Sequence, residues 1–115
     1  MYEPTKKEKR ICRELMDQAI EKEFETGLKE SEEIMLEWKN NSLSGRLAFH
    51  KLRDHLNDFR KHLAYRYDDL RGSDYLRVVA ASHADGYLSD DDIKEFSDEA
   101  KGEILRWQAL WKKNI

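Results

Sequence analysis

Residues 47 to 70 read Leu47-Ala-Phe-His-Lys-Leu-Arg-Asp-His-Leu-Asn-Asp-Phe-Arg-Lys-His-Leu-Ala-Tyr-Arg-Tyr-Asp-Asp-Leu70. Phe49, Leu52, Leu56, Phe59, Leu63 and Leu70 fall on alternate steps of three and four, with only Arg66 breaking the series. That spacing draws one apolar stripe along a helix, in the a and d positions of a heptad. The other faces carry Lys51, Arg53, Asp54, Asn57, Asp58, Arg60 and Lys61. The stretch is therefore a helix, placed at residues 46–71, with a seam to bury and a densely charged back.

Upstream, Thr5 can cap a helix and Glu8 completes a capping box. Cys12, Met16, Ile20, Phe24 and Leu28 follow at steps of four, and the pattern resumes at Met35 and Trp38. Gly27 weakens the middle by about 1 kcal/mol relative to alanine. Two helices meeting at Thr26-Gly27 would fit as well, but no proline interrupts the run, which favours one long helix over 6–40. Asn40 to Gly45 is rich in turn residues. A short connection between two long amphipathic helices predicts an antiparallel helical hairpin.

Arg71-Gly72-Ser73 breaks the chain again. Tyr75 to Ala81 is almost wholly apolar and fits a buried strand by length, but the chain offers no strand to pair with it. A short helix over 74–84 is expected, ended by Asp85-Gly86. Ser89 and the aspartates after it predict a last helix over 89–113, with Ile93, Phe96, Ala100, Ile104, Trp107 and Trp111 on its buried stripe. The fold class expected is all-α: one domain spanning 1–115, a long hairpin plus a small helical head. A thin stripe on long helices closes poorly in 115 residues, so a homodimer through the long helices is also expected.

Composition narrows the function classes. Charged residues make up 39% and the net charge is −3, with acids and bases alternating. Nucleic acid is an unsuitable partner, since that affinity rests on clustered Lys and Arg. No apolar run approaches the roughly 20 residues of a membrane span, and the N-terminal residues lack an apolar signal region. A single cysteine, Cys12, makes no internal disulfide, so a cytoplasmic protein is expected.

Chemistry-bearing patterns are sparse. His55 and His62 stand seven apart, whereas helical metal ligands usually stand three or four apart. Asp85 to Asp92 resembles half a calcium loop but lacks oxygen ligands at its first positions. Asp54 and Asp58 are flanked by Arg53, Arg60 and Lys61, the pattern of a solvated, ion-paired face. No catalytic, cofactor-binding or metal-binding residue is assigned, no cofactor is expected, and the protein is read as no enzyme.

The run Leu52-Arg53-Asp54-His55-Leu56, then Arg60, Leu63 and Arg66-Tyr67-Asp68-Asp69, resembles the fluorescence recovery protein family of cyanobacteria. Ala19 to Phe24 and the Asp85-Gly86-Tyr87-Leu88 turn are similar too, so the likeness covers roughly residues 12 to 105, with gaps. It implies an all-helical homodimer that binds the C-terminal domain of photoactivated orange carotenoid protein and speeds its red-to-orange reversion. Such a protein serves photoprotection, by ending non-photochemical quenching. The resemblance carries a partner-binding role onto Asp54 and Arg60, with His50 and Arg53 beside them. At His50 the family has a tryptophan, and at Arg53 a histidine. The seam, of dimer or hairpin, is assigned to Phe49, Leu52, Leu56, Phe59 and Leu63. The alternative is a helical adaptor of the same fold with an unrelated protein partner, in an organism lacking the carotenoid photoprotein.

Overall fold

The structure, a computed structural model, describes residues 2–113. Four α-helices, α1 (Lys6–Lys39), α2 (Gly45–Tyr67), α3 (Tyr75–Ala84) and α4 (Asp98–Lys113), follow one another, with a single 3-10 turn at Gly72–Asp74. No strand occurs among the described residues. The chain divides into two compact units: residues 21–68 form one, and residues 1–20 with 69–115 form the other. α1 contributes to both.

α1 opens as its sequence dictates. The Glu8 N–H donates to Thr5 Oγ1 at 3.2 Å and Glu8 Oε1 accepts from the Thr5 N–H at 3.0 Å, the reciprocal capping box. Glu8 then does more than cap. Its Oε2 accepts from the Ser97 N–H at 3.3 Å and the Ser97 hydroxyl at 2.7 Å, and Tyr2 donates its hydroxyl to Oε1. Burial pushes the Glu8 carboxyl upward, but the bonds from Tyr2, Thr5 and Ser97 outweigh it and bring the pKa down to about 2. One carboxylate thus joins the start of α1 to the start of α4. Around that joint Ile11, Cys12, Leu15, Met16 and Ala19 form the core with Leu76, Val79, Ala80, Leu88, Phe96, Ala100 and Ile104. Burial pushes the Cys12 thiol up to about 12, the setting of an inert packing cysteine.

The last helix starts later than its caps suggest. Ser89 and Asp92 make their reciprocal bonds, at 2.8 and 3.2 Å. The turns behind them close by i to i+3 bonds at Asp92, Ile93, Lys94 and Phe96 and never settle into i to i+4 bonding. α4 begins at Asp98 instead of residue 89, because Ser97 caps it (Ala100 N–H to Ser97 Oγ, 3.2 Å) and is anchored on Glu8. Ile93 and Phe96 therefore lie before the helix, though Phe96 is still buried. α2 also ends early, at Tyr67 instead of residue 71. Asp69 takes φ +57°, a left-handed conformation that aspartate tolerates, so Leu70 falls outside the helix.

In the unit of residues 21–68, partners ascend along α1 as they descend along α2. Glu23 meets His62 at 2.9 Å, Gly27 meets His55 at 3.0 Å, and Glu37 meets Lys51 at 3.0 Å. Gly27 is no accident of composition. A Cβ there would stand 3.0 Å from Phe59 Cζ, and the Gly27 carbonyl accepts from His55 Nε2 and from Ser31 Oγ. Gly27→Val, which fills that space, is expected to cost about 1–3 kcal/mol by displacing the Phe59 ring. Circular-dichroism melts of the two proteins measure it, and equal melting temperatures would refute the contact.

Candidate functional site

The heptad seam of α2 does not act as one surface. It divides into two rows, each recurring every seven residues. Leu52 and Phe59 turn toward α1 together with Ala48, His55, His62 and Arg66: Phe59 lies on Gly27 with its ring 6.1 Å from that of Phe24, and Leu52 lines a space with Ile34. Phe49, Leu56 and Leu63 form the second row, with Phe49 69% and Leu56 47% exposed and Leu63 half-buried. On α1 a matching row is open as well, with Leu28 66% exposed and Phe24 and Met35 nearly half exposed. Helical phase places both rows on one side of this unit. Between them is an apolar groove of about 270 Å³, lined by Ile34, Met35, Trp38, Gly45, Ala48, Phe49 and Leu52. These apolar side chains are open to solvent on both helices.

The two edges of that side differ in charge. Residues 21–39 hold seven glutamates against three lysines, while α2 holds six basic residues against two aspartates. Of the predicted partner-binding residues, Arg53 and Asp54 are brought together: the guanidinium donates to Asp54 Oδ1 through Nε at 3.2 Å and a terminal nitrogen at 3.0 Å. Both are exposed, so the pair adds little stability. Arg60, two turns from Arg53, is exposed and makes no side-chain hydrogen bond or ion pair among the described residues. His50 is exposed, its ring edge-on to Phe49 at 6.3 Å.

The other two histidines of α2 are structural. His55 donates to the Gly27 carbonyl, with Glu30 3.6 Å from its second nitrogen. His62 donates to Glu23, a carboxylate only 1% exposed that also accepts from Tyr67 and, at 3.4 Å, from Arg66. Nothing in the local sequence singles out Glu23, which sits in a run of similar glutamates; only the path of α2 shows that it faces inward. Among the described residues no cluster of three His, Cys, Asp or Glu is placed to hold a metal ion. The acids of the Asp85–Asp92 stretch are engaged otherwise: Asp90 accepts from His83 Nε2 at 2.7 Å and Asp91 from Lys94 at 3.1 Å. Gln108 donates to His83 Nδ1 at 2.8 Å, which leaves the His83 proton on Nε2. No described helix is long and apolar enough to cross a membrane. Comparison with protein families, curated proteins and solved structures finds no match for this chain.

Proposed function

We propose that this protein is a non-enzymatic regulator that works by binding another protein, and that α1 and α2 form an antiparallel hairpin whose open side pairs with a second copy. The observation that carries the reading is the apolar side bounded by Phe24, Leu28, Phe49 and Leu56, exposed on both helices at once. A second copy would bury it, since the patch presents the same surface to itself. The charged back of α2, with His50, Arg53, Asp54 and Arg60, then stays outward for the partner.

The likeness to the fluorescence recovery proteins supplies the partner: the C-terminal domain of photoactivated orange carotenoid protein. The mechanism is differential binding. A regulator speeds reversion only by holding the route back to the orange form more tightly than the red form itself. His50, where that family has tryptophan, favours a second reading, an adaptor of the same build with a different partner.

The test is dark reversion of a red carotenoid protein with and without this protein, after light scattering has measured its oligomeric state. Acceleration that Asp54→Leu or Arg60→Leu weakens while helicity is kept supports the first reading. A folded dimer without acceleration moves the assignment to the adaptor. A monomer overturns the pairing of hairpins.

A further inference from the structure

Arg46, Arg53 and Arg60 recur every seven residues along α2, all three exposed. The row runs beside Phe49, Leu56 and Leu63, displaced about a sixth of a turn outward on the helical wheel. Successive arginines are about 10.5 Å apart along the axis. Neither Arg46 nor Arg60 has an acidic partner among the described residues, and Arg53 has only its neighbour Asp54. Exposed guanidiniums at a regular two-turn spacing, two of them without an acid of their own, offer planar forks for carboxylates at the same spacing.

We infer that this row docks an acidic helix of another protein, with carboxylates every seventh residue. The inference rests on the reading of α2 as the partner surface, and it adds Arg46 to that surface. The chain's own acids fit the row poorly. On the open side of α1 the row Gln18, Glu25, Glu32 and Lys39 has the same spacing but only two carboxylates, so a second copy would leave at least one arginine without an acid from that row.

The experiment uses the full chain and a designed helical peptide three heptads long, with one glutamate per heptad in a single row. A control peptide of the same composition has its glutamates spread around the helix. The first peptide is expected to bind at least ten times more tightly at low ionic strength, and to lose that advantage in about 1 M NaCl, where the screening length is about 3 Å. Arg46→Ala and Arg60→Ala are each expected to weaken it about two- to fivefold, with Arg46→Lys between wild type and Arg46→Ala. Equal binding of both peptides, or full affinity in Arg46→Ala, overturns the inference. So does a shift of self-association in Arg46→Glu with peptide binding unchanged, which would give the row to the second copy. Carotenoid-protein reversion and light scattering test the underlying reading separately, so either can fail alone.

Discussion

Glu23→Ala is expected to lower the stability of the protein by about 3 kcal/mol, the cost of breaking a buried charged cluster from one side. The carboxylate is 1% exposed and holds His62, Arg66 and Tyr67 of α2 against α1. Truncation removes the acceptor that these three side chains share, and a polar group that loses its partner in a largely buried place is costly. For a chain of this size the loss reads as a melting point lower by roughly 10 °C. Glu23→Gln keeps the shape and one acceptor, so its loss should be smaller. The fall should be accompanied by lost helical signal from residues 45–67, which hydrogen exchange resolves. Wild-type melting in Glu23→Ala would show that the cluster does not hold these helices together.

The second large effect is acid sensitivity at Glu8. Its folded pKa of about 2 lies below the ordinary 4.5. A depressed carboxylate contributes stability that is fully present above the unfolded value and is lost as pH falls through the folded one. The window is therefore pH 4.5 down to about 2. The difference corresponds to about 3 kcal/mol. Denaturant titrations at pH 6 and at the acid end, on wild type and Glu8→Gln, measure it. The wild type should lose more stability than the variant, because only the wild type has this carboxylate to protonate. Parallel losses would place the acid sensitivity elsewhere. Ser97→Ala, which removes one donor to Glu8, should give a partial version of the same change.

How far the sequence could be read varies from element to element. The capping box at Thr5 and Glu8 formed as a local signal should, because both partners lie within one turn. The equally good local signal at Ser89 and Asp92 formed its hydrogen bonds without starting α4. There, Ser97 had a distant partner, Glu8, that no window of neighbouring residues contains. The early end of α2 has a similar character: the left-handed turn at Asp69 is allowed by aspartate but not demanded by it. Gly27 reads in sequence as a weak point of a helix, and only the Phe59 ring above it gives it a purpose. The exposed positions His50, Arg53, Asp54 and Arg60 are legible as a charged face, yet exposure alone assigns them no partner.

By itself the sequence determined that the chain is helical, where its long helices begin, and which residues are apolar enough to require cover. These are properties of spacing and of single turns, and they survive without knowledge of what lies opposite. Which part of the Leu47–Leu70 seam is covered depends on how α2 lies on α1. Period-seven positions on a helix drift by about 20° per heptad, and the two rows three residues apart diverge by about 60°. A heptad partner can cover both rows; α1 covers only one. α1 took Leu52 and Phe59, and Phe49 and Leu56 were left open, because Gly27 lets Phe59 close on one side and Glu23 ties His62, Arg66 and Tyr67 to that same side.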